Sequence, residues 1–366
     1  MHLAIIGASY LQLPLIEKAK EMGYTTHVFA WAANDVGEKA ADFFYPISIV
    51  EKEQILRECR RIGIAGICSI ASDLAAVTVN YVAGQMGLAG NTMEATLKST
   101  NKHLMRKAFE AGGDPSPKSL PVTPETDLSA LDLTYPVIVK PTDRSGSRGI
   151  FKLTSSQGLR EAVQAAAESG FEKKALIEEF AEGDEYSVEC ISYEGTHHFL
   201  AMTQKFTTGA PHFIETGHRE PAPVSAETLE RVKQVVFHAL DTLGIRSSAS
   251  HSEIKIDEKG TIRIIEIGGR MGGDCIGSDL VYYSTGIDFV RAVIHVACGQ
   301  APDLSVCREP IAVESRFIFT AEDEKAYLHL RDHEPHRLLK TVDYHPENIG
   351  HITDSSNRAG CYIVQI

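Results

Sequence analysis

The densest chemistry in the sequence lies in two neighbouring strands, His251-Ser-Glu253-Ile-Lys255-Ile256 and Thr261-Ile-Arg-Ile-Ile265-Glu266-Ile267, joined by Asp257-Glu-Lys-Gly260. If the turn pairs Ile256 with Thr261, Glu253 stands opposite Ile264, and Glu266 lies diagonally from Glu253 on the same face. Diagonal neighbours in a sheet are about 7–8 Å apart, close enough for two carboxylates to share one or two hard cations. A register one residue different would put the acids on opposite faces. The strand 262–267 is apolar enough to be buried, where two unpaired acids would be costly, so the pattern points to a magnesium site rather than a solvated hairpin. Gly268-Gly269-Arg270-Met271-Gly272-Gly273-Asp274 follows directly. Its glycines let the backbone approach an anion and Arg270 supplies a bidentate clamp, a combination suited to a phosphate or acyl phosphate.

Two stretches upstream suit a nucleotide. Pro136-Val-Ile-Val-Lys140 is a buried strand ending in a lysine, and Ser145-Gly146-Ser147-Arg148-Gly149 is a glycine-rich turn leading to a second strand, Ile150 to Leu153. This is not a Walker loop, since G-x-x-x-x-G-K-[ST] is absent and no helix follows. The glycines still allow backbone N–H groups to cover phosphates, with Arg144 and Arg148 adding charge; alone, the stretch reads equally as a hairpin tip with solvated arginines. In Ala175-Leu-Ile-Glu178-Glu179-Phe180-Ala181-Glu182-Gly183-Asp184-Glu185, a strand, an acidic bend and a second strand present carboxylates and bare backbone at an edge. That suits the amino group and ring acceptor of adenine and the hydroxyls of ribose, although a solvated acidic hairpin has the same composition. Glu215, His218 and His251 are candidates for a substrate pocket, against a plain surface loop over 207–223.

These residues need a scaffold. The first hundred residues alternate apolar runs with helical patterns: strands at His2 to Ile6, Thr26 to Ala30, Pro46 to Val50 and Ile64 to Ile70, with helices near Leu11 to Met22, Glu51 to Ile62 and after Asp73. This is the rhythm of a parallel sheet with crossover helices. Gly7-Ala8-Ser9 stands where a dinucleotide fold would offer G-x-G-x-x-G, and no acid closes the second strand, so the layout is Rossmann-like without the nicotinamide fingerprint. A boundary is expected near Gly87 to Thr92, then a helix capped by Ser99, Thr100 or Asn101 and ending at Gly112-Gly113. Strands interrupted by helices continue to Gln300, the clearest helix following Ser225 with Leu229, Val232, Val235, Val236, Ala239, Leu240 and Leu243 on one face. The tail from about Ser305, with strands at Ile311 to Phe319 and Gly360 to Ile366, reads as a small β-rich closing unit.

The chain has 366 residues, of which 43% are hydrophobic and 23% charged, as in an ordinary globular protein of two or three domains. Its 36 basic against 49 acidic residues give a net charge of −13, which argues against a general nucleic-acid binder. The seven cysteines are scattered without a C-x-x-C pair, so a reducing compartment is expected. No run approaches the roughly 18 apolar residues of a membrane span and the N-terminus reads as a strand, so the expected location is the cytoplasm, with no membrane partner.

The fixed order of a lysine-ended strand, a glycine loop, an E-E-F-x-x-G-x-E hinge, two metal glutamates on a hairpin and a downstream arginine resembles the ATP-grasp superfamily of carboxylate–amine ligases, over about residues 1 to 300. The fold this implies is α/β and α+β multidomain: a Rossmann-like N-terminal domain over 1–97, an ATP-grasp domain over 98–304 with its lid at about 115–182, and the β-rich C-terminal unit over 305–366. The resemblance puts Lys102 and Lys140 on the phosphates of ATP, and Ser145, Gly146, Ser147 and Gly149 in the lid. It assigns Glu178 and the backbone of Phe180 and Ala181 to adenine, Glu185 to ribose, and Glu253 and Glu266 to magnesium, for which manganese could substitute. Arg270, with Lys140, would be catalytic, holding the transferred phosphoryl group, and Gly273 would join Glu215, His218, His251 and Arg270 at the substrate. One departure is Gly268, where many family members have an asparagine. The spacing of His251 to Glu253, and Phe213-Ile-Glu215-Thr-Gly-His218, resemble the L-amino acid ligases.

The implied activity activates a carboxylate, expected to be that of an amino acid, as an acyl phosphate and couples it to an amine, both substrates being small molecules. A bicarbonate-activating carboxylase or carbamoyl-phosphate-type enzyme would share the nucleotide half, and a non-catalytic nucleotide-binding module would keep only binding. A homodimer is a family-based expectation.

Overall fold

The computed structural model describes residues 1–144, 148–209, 214–350 and 358–366. Ser145, Gly146 and Ser147, expected in the lid, lie outside the described residues, as does Phe213.

The first sheet holds β1 (His2–Ile6), β2 (Thr25–Phe29), β3 (Phe43–Tyr45) and β4 (Gly66–Cys68), all parallel in the order β3-β2-β1-β4. Helices on its faces explain why β1 is almost continuously apolar and buried. The third strand is Phe43–Tyr45 and not Pro46 to Val50 as expected, and the fourth is shorter than Ile64 to Ile70. Pro46 has no N–H to give to a ladder, so pairing stops before it. The helix Asp73–Met86 is capped by the Ser72 side chain, which accepts from the Ala75 N–H, and ends at Gly87 in the left-handed region. Two helices follow, Met93–Thr100 and Lys102–Gly112; Asn101 caps the second by accepting from the Leu104 N–H, which places Lys102 in its first turn.

The second sheet is antiparallel, β5 (Ser119–Val122), β6 (Val137–Pro141), β7 (Phe151–Leu153) and β8 (Ala175–Glu179), in the order β5-β8-β6-β7. Val137, Val139 and Ile177 from this sheet pack on Leu159, Val163 and Ala166 of the helix Leu159–Ser169. This unit occupies the region expected for the lid.

The third sheet has eight strands: β9 (Asp184–Tyr193), β10 (Thr196–Thr207), β11 (Glu215–Glu220), β12 (Ser248–Ile256), β13 (Ile262–Gly268), β14 (Val313–Ile318), β15 (Leu338–Val342) and β16 (Gly360–Gln365). Their order is β13-β12-β9-β10-β11-β14-β16-β15. The helix Ala226–Leu243 buries Val232, Val236, Ala239, Leu240 and Leu243, with Met105 and Phe109, against β9, β12 and β13. One expectation changes here. Residues after 305 do not close the chain as a sheet of their own, because β14 pairs with β11 and carries β16 and β15 outward as a continuation of the central sheet. Among the described residues, no helix is long and apolar enough to cross a membrane.

Candidate active site

The hairpin β12–β13 brings Glu253 and Glu266 together by a route the sequence did not show. Its tip pairs Ile256 with Ile262 and Ile254 with Ile264, so the expected pairings of Ile256 with Thr261 and Glu253 with Ile264 do not form. Continued unchanged, that register would set Ser252 opposite Glu266 and turn the two acids to opposite faces. The ladder instead shifts between Glu253 and Ile254, leaving Ile265 as an extra residue in β13 and pairing Glu253 directly with Glu266. The bulge is held from outside, since the Ile265 carbonyl accepts from Arg106 Nη2 at 2.7 Å and the adjacent Ile264 N–H donates to the Pro115 carbonyl.

Each of the paired acids has its own lysine. Lys205 Nζ, on β10, lies 2.7 Å from Glu253 Oε1, 3.4 Å from Glu185 and 3.6 Å from Glu215. Lys102 Nζ lies 2.8 Å from Glu266 Oε1 and donates to the Arg144 carbonyl at 2.7 Å. Burial disfavours the Glu253 carboxylate, but Lys205 and His251 override it and hold its pKa well below the carboxylate range. Burial likewise disfavours charged Lys205, and Glu253, Glu185 and Glu215 more than reverse this. His251 donates from Nδ1 to Glu189 and faces Glu253 through Nε2 at 3.4 Å. Burial would lower this imidazole, yet Glu189 raises it to about 9.

Among the described residues, the Oε2 atoms of Glu253 and Glu266 carry no hydrogen-bond partner while both Oε1 atoms meet a cation. Two opposed carboxylates with an oxygen left on each fit a hard divalent cation. No cluster of three or more metal-ligating side chains occurs among the described residues. The set therefore matches an ion that takes one or two carboxylates and completes its shell with water and phosphate oxygens.

Lys140 Nζ, at the end of β6, lies 2.6 Å from Glu178 Oε2, and Arg106 Nε lies 2.9 Å from Oε1 of the same carboxylate. Burial pushes the Lys140 pKa down, Glu178 pushes it up, and the neighbouring Arg106 and Lys102 push it down again. Glu178 is thus paired with two cations, Lys140 and Arg106, while it lines the same cavity as Phe180 and Ala181. Five lysines and arginines and six glutamates line the surrounding cavity, so an anion bound there needs a cation with it.

Most of these groups, though not Lys205, Arg106 or Glu189, line a cavity of about 180 Å³ between the second and third sheets. Its apolar lining is Ile138, Ile150, Ile265 and the Phe180 ring, over which Lys152 Nζ sits 3.6 Å from the centroid. Glu215, His251, Glu253, Glu266 and Arg270 also line it. Lys102, Lys140, Glu178, Phe180, Ala181 and Glu185 line it as well, so eleven of the expected residues share one cavity.

Three expected residues do not line it. Gly149 has φ +68°, and a Cβ there would meet Ser169 Oγ, which gives it a packing reason. Gly273 lies against Ala71 of the N-terminal unit. His218 is buried beside the Phe317 ring with neither ring nitrogen hydrogen-bonded among the described residues, and burial, aided by Lys205, lowers it to about 3, so it is neutral. Residues absent from the expected set also matter. Lys205, in the polar stretch Thr203-Gln204-Lys205 that follows the apolar run of β10, and Arg358, which bridges Glu215 at 3.0 Å and Asp274 at 2.9 Å from the far end of the chain, carried no signal.

Residues 133–279 match the family described as the ATP-grasp domain. The chain is 24% identical over 319 residues to the alanine–anticapsin ligase of Bacillus subtilis strain 168, covering 76% of this chain and 67% of that protein. It is 24% identical over 338 residues to carnosine synthase 1 of Mus musculus, covering 82% of this chain and 40% of that one. The chain spans about half to two thirds of the length of several curated relatives that it matches. A solved L-amino acid ligase from Bacillus licheniformis superposes with a TM-score of 0.82 over 100% of this chain and 93% of that one, at 21% identity, which shows a shared fold.

Proposed function

We propose that this chain, which carries an ATP-grasp domain, is an ATP-dependent ligase that activates the carboxylate of an amino acid as an acyl phosphate and couples it to an amine, releasing ADP and phosphate. The observation that carries the reading is the direct opposition of Glu253 and Glu266, each set against a buried lysine, in the lining of a cavity that also has an apolar slot made by Ile138, Ile150, Ile265 and Phe180. Adenine goes to the slot by Phe180 and Ala181, ribose to Glu185, and the phosphates to Lys102 and Lys140. Glu253 and Glu266 would hold magnesium, which when bound neutralises crowded phosphate oxygens.

The chain's own groups then position the reaction. A carboxylate oxygen attacks the γ-phosphorus, the bond to the ADP oxygen breaks, and Arg270 steadies the charge on the transferred group. The amine nitrogen next attacks the acyl carbon, phosphate leaves with the bridging oxygen, and the nitrogen gives up a proton. Glu215 and His251, which line the same cavity, would face these substrates. The second sheet, closing over the third, excludes water that would hydrolyse the intermediate.

The test is phosphate release from ATP and Mg²⁺ across single and paired amino acids, with bicarbonate in a separate arm and products weighed by mass spectrometry. Release that requires particular amino acids, with a product one water lighter than the pair, supports the ligase. Release with bicarbonate alone moves the chain to the carboxylases.

A further inference from the structure

Arg270 is not a free clamp. Its Nε donates to Asp73 Oδ1 at 2.8 Å and its Nη2 to Asp73 Oδ2 at 2.9 Å, while Nη1 reaches the Met271 carbonyl at 3.3 Å. Asp73 is the first residue of the helix Asp73–Met86 in the N-terminal unit, 197 positions away, and the two side chains are only 14% and 15% exposed. A second tie lies beside it, since the Ala71 N–H donates to the Met271 carbonyl at 3.1 Å from a residue at φ +60°. Gly268 is explained by the same pair. A Cβ on Gly268 would lie 2.8 Å from Asp73 Oδ1 and 3.3 Å from Arg270 Cζ, so the bare backbone makes room for the bridge.

We propose that Asp73 is a positioning residue for the ligase reaction, fixing the Arg270 guanidinium at the phosphoryl-transfer end of the cavity, and that Gly268 lacks a side chain because the Asp73 carboxylate fills that space. The role in turnover rests on the function proposed above; the pairing itself does not. A guanidinium carries five N–H groups. With one each from Nε, Nη1 and Nη2 spent, two remain for an anion, and their direction is set by a bidentate bridge to a rigid helix. The Rossmann-like unit, which has no nicotinamide fingerprint, thereby acquires a part in catalysis: it orients the arginine. Asp73 also lines a second cavity that shares Lys102, Arg144 and Glu266 with the first. The bridge therefore stands in the wall between the two spaces.

The test uses the full chain with Asp73→Asn, Asp73→Glu, Gly268→Asn and the double variant Asp73→Ala/Gly268→Asn. The Nε–H resonance of Arg270, assigned by its absence from Arg270→Lys, is followed in ¹⁵N-labelled protein; MgADP affinity comes from calorimetry, and kcat and KM from phosphate release. Asp73→Asn is expected to lose or shift the resonance and to lower kcat roughly tenfold to a hundredfold, the cost of a slightly misplaced group. MgADP affinity should stay within about twofold, because the loss is confined to the transition state. Asp73→Glu should recover part of kcat. Gly268→Asn should reproduce the loss, and adding Asp73→Ala should cost little more, because both changes break one interaction.

An unmoved resonance, an unchanged kcat, additive losses, or a collapse of folding without recovery in Asp73→Glu each overturns the proposal. So does a raised Mg²⁺ requirement for ADP binding in Asp73→Asn, which would make Asp73 a metal ligand. If the wild-type chain releases no phosphate with any substrate pair, the ligase reading fails, and the resonance alone decides whether Asp73 holds Arg270.

Discussion

Glu253 and Glu266 face each other where two negative charges repel, and the chain sets Lys205 and Lys102 against them. Truncating Glu266 to alanine should abolish nucleotide turnover while circular dichroism still reports a cooperative melt; substantial residual turnover would remove it from the metal site. Lys205→Met leaves Glu253, Glu185 and Glu215 facing one another without their shared cation. Breaking a buried ion pair costs about 3–5 kcal/mol, so this variant should melt well below the wild type at neutral pH. A melt unchanged from wild type would show that Lys205 is dispensable. Glu220 offers a pH test. It is buried on β11, where burial raises its pKa to about 7 while the hydroxyls of Ser284 and Thr203 partly counter that. Its folded value thus lies above the unfolded value of about 4.3, so between these the folded state holds more protons and stability falls as pH rises. Glu220→Gln should flatten that decline from about pH 4.3 to about pH 7, as read by denaturant melts across the range. An unchanged slope would contradict the assignment.

At the level of elements, the β13 bulge is the feature on which the metal pair depends. Deleting Ile265 removes the extra residue, so a regular ladder should still pair Glu253 with Glu266 and Mg²⁺-dependent ADP binding should survive; calorimetry with MgADP reads this directly, and lost binding would contradict the register argument. The sequence shows the two acids, the buried strands and the helix after Ser225, because burial periodicity and caps are local properties. It does not show the bulge, because what holds Ile264 and Ile265 comes from Pro115 and Arg106, well over a hundred residues upstream. Glu178 is a similar case. A carboxylate at the end of β8 looks free in one dimension, and only packing reveals that Arg106 and Lys140 already occupy it.

The whole molecule is tied to the site at both ends of the chain. The N-terminal unit reaches it through Asp73, and the C-terminal strands do so by extending the central sheet from β11 and by bringing Arg358 to Glu215 and Asp274. The tail read as a separate unit because its strands pair with each other and nothing local reveals that β14 also pairs with β11. Cutting the chain after residue 304 would therefore bare the edge of β11 along its length. The shortened protein should lose the cooperative melt and aggregate, and a soluble, MgADP-binding fragment would show instead that the tail is an independent unit. The most direct test of the central claim follows an atom. A substrate acid identified by phosphate release is supplied with ¹⁸O in its carboxylate, and the released phosphate is weighed. An acyl phosphate formed and broken as described predicts one ¹⁸O carried into phosphate, together with a product one water lighter than the substrate pair. Unlabelled phosphate accompanying that product would contradict the mechanism.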